Sequence, residues 1–166
     1  MDAAKWKTVA SDWLQGVSLA SIRMIGAKQV KTMFRGMSLV FVNTMTRRVE
    51  EETGQKFMDP TDTLVESVEK LKQAEVAADF CTNGDVEINQ ESDDKLQVTL
   101  HNCMYGDFCN EAFARMLSSG EFNEKSIPCL RLSNYSAAAT LMAKIRSPYH
   151  LIQFAPGAVC KGIVGK

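Results

Sequence analysis

The chain has no surplus of charge of either sign: 19 Lys and Arg stand against 20 Asp and Glu, a formal net charge of −1 over 166 residues. Without a broad basic field, nucleic-acid binding is not expected. Long apolar runs are also missing. The longest, Met37 to Val42, falls far short of the roughly 20 residues that span a bilayer, so no membrane span is expected. The opening Met-Asp-Ala-Ala-Lys-Trp has no signal-peptide layout, and a cytoplasmic location is the expectation. Five cysteines is an odd number, which suits a closed disulfide framework poorly. There is no Cys-x-x-Cys pair, Gly-x-Gly-x-x-Gly, Walker-type loop, His-Glu-x-x-His or Gly-x-Ser-x-Gly. The common signatures of dinucleotide, nucleotide, zinc-protease and serine-hydrolase chemistry are therefore absent. Histidine is scarce, at two residues.

What is present is strongly periodic. Trp6, Val9, Ala10, Trp13, Leu14, Val17, Ala20 and Met24 recur at spacings of three and four, so residues 4–25 read as a helix. Its two tryptophans share a face, for packing against the domain or for a partner protein. After Gly26 a second helix is expected over about 28–52, with Val30, Met33, Phe34, Met37, Val40, Phe41, Thr44, Met45 and Val49 on its apolar side. Its methionines can fill irregular core space or wall an apolar ligand pocket. Gly54 supplies the stop. Asp59-Pro-Thr-Asp62 is a turn, and Thr61 or Asp62 can cap a third helix carrying Leu64, Val65, Val68, Leu71 and Ala74. Glu66, Glu69, Lys70 and Lys72 form its solvated face.

Alternating residues 85–89 and 95–100 predict a hairpin. A helix follows, with Asp107 as a plausible N-cap. Ser133 or Asn134 can cap a short Ala-rich helix from Tyr135 to Ile145. Strands Tyr149 to Phe154 and Ala158 to Val164 close the chain around Pro156-Gly157. Strands and helices are grouped, so the fold class is α+β: N-terminal helices packed on an antiparallel sheet of two hairpins, with two further helices between the hairpins. One domain, 1–166, is expected, with 1–58 as a helical layer and 59–166 as a helix plus sheet core.

The segment His101 to Cys109 joins a strand to a helix and holds two cysteines and one histidine. Cys103, Cys109, Cys129 and Cys160 could close a zinc site, or less readily hold an iron–sulfur cluster. They could also be small buried apolar residues. Alternatively, a helix N-terminus lowers a thiol pKa, which would make Cys103 a nucleophile, with His101 or His150 as base and Asp107 orienting it.

The run Val98-Thr-Leu-His-Asn-Cys103-Met-Tyr is similar to the strand of the 4-vinyl-reductase type of small-molecule-binding domain. Pro128-Cys129 before a small-residue helix, and Tyr149 to Val164 with Gly157 at the turn, resemble that family's next segments. The resemblance covers about residues 62–164. It implies helices on an antiparallel sheet, as in the TRAPP vesicle-tethering subunits, often as a dimer, and binding of apolar or aromatic molecules. It implies structural zinc on Cys129 and Cys160, with Cys103 third. The spacing of Cys103, Cys129 and Cys160 is also similar to L-2-amino-thiazoline-4-carboxylate hydrolase-like proteins, which implies ring-opening hydrolysis by Cys103.

Three functions are thus expected. The first is a sensor or carrier domain for an apolar small molecule, with Met33, Phe34, Met37, Phe41, Phe113 and Met142 as ligand candidates. The second is a cysteine-dependent hydrolase. The third is an interaction subunit, forming a homodimer or larger assembly through the Trp6/Trp13 helix.

Overall fold

The structure, a computed structural model, describes residues 13, 16, 17, 20–22, 24–118 and 124–166. The described residues before Gly26 are helical. Most of the expected first helix, Trp6 included, lies outside the described residues. Trp13, on the face expected either to pack against the domain or to meet a partner protein, is 68% exposed.

Gly26, at φ 81°, breaks the chain before α1 (Ala27–Thr53). Gly54 ends α1 in the left-handed conformation, and its N–H closes on Glu50 O, the stop expected from a glycine just past the last turn. The inner side of α1 is Val30, Phe34, Val42, Met45 and Val49, all buried; Met37 and Val40, expected on the same side, are exposed. The apolar stripe is therefore narrower than the sequence pattern implies, and the buried Ser38 and Thr46 complete it.

Helix α2 (Leu64–Ala77) is capped by Thr63, whose Oγ1 accepts the Glu66 N–H at 3.2 Å. The cap is thus one residue later than Asp62. Glu66 reaches back to the Asp62 N–H at 3.2 Å, which supports this register. Strands β1 (Val86–Ser92) and β2 (Lys95–His101) form the first hairpin. Asn102 leaves β2 at φ 46°, a turn an Asn tolerates, and α3 (Gly106–Ser118) begins. Asp107 lies in the first turn rather than at the cap, and the Gly106 N–H bonds to Cys103 O.

Helix α4 (Leu130–Ala138) departs most from expectation. It starts five residues before Tyr135, with the extended Cys129 as its flanking residue. Ser133 and Asn134 are inside it and buried, as is every residue of α4. A helix buried on all sides is a central helix. It packs on α1, α2, β3 and β4. A π-helical turn, Ala139–Ala143, follows and ends at Lys144, φ 60°. Strands β3 (Tyr149–Gln153) and β4 (Val159–Gly165) turn through Ala155-Pro-Gly-Ala158.

The four strands form one antiparallel sheet in the order β1-β2-β4-β3. The last strand therefore inserts beside β2, pairing Leu100 with Cys160 and Val98 with Gly162. Helices α2 and α4 lie on this sheet, and α1 lies across both. A Cβ on Gly162 would collide with the Leu132 side chain and come within 2.9 Å of His150 O. This glycine is what lets α4 settle onto the sheet. Among the described residues, no helix is long and apolar enough to cross a membrane.

Candidate functional site

Among the described residues, two spaces border the start of α4. The inner one is a chamber between the sheet, the start of α3 and the start of α4. Leu100, Leu151 and Cys160 line it from the strands, Tyr105, Gly106 and Cys109 from the α3 side, and Cys129, Leu130 and Arg131 from α4. Cys103, at the junction, completes a set of four cysteines, and Phe154 and Pro156 belong to the β3–β4 turn region. Gly106 lies close under that turn: a Cβ there would meet the Gly157 N at 3.2 Å. The cavity volume is ≈ 20 Å³, room for about one water. A larger guest requires the walls to move.

The strand register explains the convergence. Cys160 pairs with Leu100, so alternation aims both at the same face, and Cys103 follows Leu100 round the turn. Cys129 ends the approach to α4, and Cys109 lies one turn into α3. None of the five cysteines is in a disulfide. Burial pushes the Cys103, Cys109 and Cys129 thiols up, with neighbouring thiols adding to the effect on Cys109 and Cys129; Cys129 reaches about 12. For Cys103, the Tyr105 backbone N–H and Arg131 pull back against burial without reversing it. These are environments of protonated thiols, unlike that of a nucleophile. The four cysteines share a chamber, yet among the described residues no group of three or more His, Cys, Asp and Glu could hold a metal ion.

The histidines are placed elsewhere. His101 Nε2 lies 3.2 Å from Glu87 Oε1. His150 neighbours the chamber residue Leu151 in β3 and so faces the other side of the sheet. Burial, then Lys31, Lys125 and Lys95, push its pKa down.

Beneath the chamber lies a polar cluster that the sequence pattern hid. Arg131 Nη2 donates to Glu75 Oε2 at 2.7 Å, Arg131 Nε donates to the Tyr135 hydroxyl at 3.2 Å, and that hydroxyl donates to Glu75 Oε2 at 3.0 Å. All three residues are buried. Burial pushes the Glu75 carboxyl up, while Arg131 and Tyr135 pull it down. Burial works against the Arg131 charge most strongly of any single cause, but Glu75, Tyr135, Cys103 and Cys81 together outweigh it and raise the pKa. The two directions differ for the carboxylate. The 2.7 Å contact decides between them, because it has the length of a charge-assisted bond, so the pair is ionised. Glu75 was detectable: it falls four residues after Leu71 and seven after Val68, on the apolar face of α2.

The outer space is a half-open pocket of ≈ 130 Å³ between α1 and α4, lined by Met37, Ser38, Phe41, Tyr105, Leu130 and Asn134. Tyr105 and Leu130 line both spaces and form the partition. Of the expected ligand residues, Met37 and Phe41 are here. Phe34 and Met142 are buried in the core and Met33 packs against it. Phe113 meets Phe108 edge-to-face at 5.6 Å.

No sequence-family model and no curated protein sequence matches the chain. Among solved structures, the fold is similar to the phenol-responsive sensory domain of the transcription activator PoxR with phenol, at TM-score 0.58 and 8% identity, covering 93% of this chain and 73% of that one. At that identity the likeness is one of fold alone.

Proposed function

We propose that this chain is a small-molecule-binding domain, a sensor or carrier, that takes an apolar molecule into the chamber between the sheet, α3 and α4. The observation that supports the reading most is the make-up of that chamber. Its walls are apolar side chains and four cysteines, of which Cys103, Cys109 and Cys129 are held as thiols by burial. The one charged residue lining it, Arg131, is already held by Glu75 and Tyr135. Such a lining favours neutral, weakly polar guests and offers no activated nucleophile. The fold shared with a phenol-responsive sensory domain supports the same class of ligand. In the present closed form the cavity admits little, so binding proceeds with displacement of Tyr105 or the α3 start, and that displacement is what a sensor would report.

The test uses a panel of benzene, toluene, phenol, cyclohexane and linear alcohols on the full chain, with two readouts. Thermal melting should rise for some members by about 5 °C or more at saturating ligand. Alkylation of Cys103, Cys109, Cys129 and Cys160 should slow in the presence of the same members, while Cys81, which does not line the chamber, keeps its rate. A panel that moves neither quantity overturns the reading.

A further inference from the structure

We infer that the outer pocket between α1 and α4 is a second binding site, separate from the thiol-lined chamber, for a neutral single-ring aromatic compound carrying one hydroxyl. The size argues for one ring. At ≈ 130 Å³ the pocket is close to the roughly 150 Å³ of an apolar protein cavity known to admit benzene. The lining argues for a neutral guest, since no charged side chain is among its six residues.

The hydroxyl is argued from Ser38. This residue is 1% exposed and lines the pocket, and its Oγ has no hydrogen-bond partner among the described residues. A serine or threonine inside a helix ordinarily bonds back to the carbonyl four residues earlier. Three hydroxyls of the same helix do so: Thr32 to Lys28 O, Thr46 to Val42 O and Thr53 to Val49 O. Ser38 departs from that habit at the point where α1 borders an open space. A buried hydroxyl left unpaired is unfavourable, and a guest hydroxyl removes the penalty.

The remaining walls fit a ring. Phe41 is held by stacking on Phe80, centroids 6.1 Å apart, and Met37 offers a polarizable sulfur suited to a ring edge. Asn134 stands across the pocket on α4. Its amide carries two donors and an acceptor, so the guest hydroxyl can be shared between Ser38 and Asn134. Tyr105 lines both spaces and stands between the two sites in the closed form.

The experiment is calorimetric titration of the full chain with phenol and with toluene, on the parent, Ser38→Ala and Met37→Trp. Ser38→Ala removes an unpartnered hydroxyl, so its melting temperature should not fall. It should weaken phenol by about five- to tenfold and leave toluene unchanged. Met37 is 37% exposed, so an indole there has room to fold over the pocket, and it should abolish binding of both. Equal phenol affinity in parent and Ser38→Ala overturns the proposal. So does phenol binding that survives Met37→Trp; if that binding protects the four chamber thiols from alkylation, the chamber reading stands and only this site falls. A parent that binds neither compound overturns the second site, and the chamber reading is then judged by thiol protection with the rest of the panel.

Discussion

Arg131 and Glu75 meet at 2.7 Å between α4 and α2, each 1% exposed, and the Tyr135 hydroxyl bonds to both. Removing one member leaves the other charged and dry. Glu75→Leu should therefore destabilise the fold by about 3–5 kcal/mol, because the guanidinium loses its counter-charge in a place water does not reach. Arg131→Met should cost a similar amount. The double variant should recover most of the loss, since a buried ion pair replaced by packed apolar side chains is often neutral. Urea unfolding of the four proteins forms the cycle. Strictly additive losses would mean that the two side chains are not coupled.

Glu50 gives the fold an acid-sensitive joint. Its Oε1 accepts the Phe57 N–H at 2.6 Å and the Met58 N–H at 2.7 Å, tying the residues after α1 back to the helix. The bond from Met58, helped by that from Phe57 and by Lys56 and Arg47, outweighs desolvation and holds the carboxyl below its ordinary value. A carboxylate depressed in the folded state stabilises above its unfolded pKa, and the benefit is lost as pH falls through the lower folded value. Melting temperature should drop below about pH 4.5. Glu50→Gln should cost about 1 kcal/mol at neutral pH and flatten part of that acid limb. An unchanged limb in the variant would place the acid sensitivity elsewhere.

The elements were largely legible and their assembly was not. Alternation in 86–100 and the Pro156-Gly157 turn announced both hairpins, and Gly54 announced the end of α1. The failures share a cause. Ser133 and Asn134 have the side chains of helix caps, and local chemistry alone favours that role. Packing from α1, α2 and the sheet buries them instead, and the helix starts at Leu130. Thr61 and Asp62 were equally good caps by composition, and the Glu66 N–H bond to Thr63 Oγ1, with the Asp62 N–H bond to Glu66 Oε2, chose the register. The convergence of Cys103, Cys129 and Cys160 needed the insertion of β4 beside β2, which no local pattern encodes. Arg131 and Glu75 are 56 residues apart, and only the position of Glu75 on an apolar helix face hinted at a buried partner.

Gly162 is a position where packing leaves no margin. A methyl group there would strike the Leu132 side chain and crowd His150 O at 2.9 Å. Gly162→Ala should destabilise by about 1–3 kcal/mol, and α4 should lift from the sheet locally. Hydrogen exchange should then show faster exchange in β3 and α4 than in α2. A uniform change across all helices would argue against a local wedge.

Cys129 should make the protein sensitive to alkali. Burial, assisted by Cys103 and Cys160, pushes its thiol up to about 12, whereas a thiol in the unfolded chain ionises near 8.5. A group whose pKa is higher in the folded state contributes stability that is complete below the unfolded value. That contribution is lost as pH climbs toward the folded value, because the unfolded chain gives up its proton first. Melting temperature should therefore decline from about pH 8.5 upward, and Cys103 and Cys109, raised for the same reason, add to the slope. Cys129→Ala should shallow the decline while lowering stability modestly at pH 7 through the small cavity it leaves. In the same pH range, alkylation of Cys129 in the native protein should lag far behind that of the unfolded chain, and the lag should disappear in denaturant. A native Cys129 that alkylates at the unfolded rate would show that the chamber is open to water, and the apolar-guest reading would lose its physical basis.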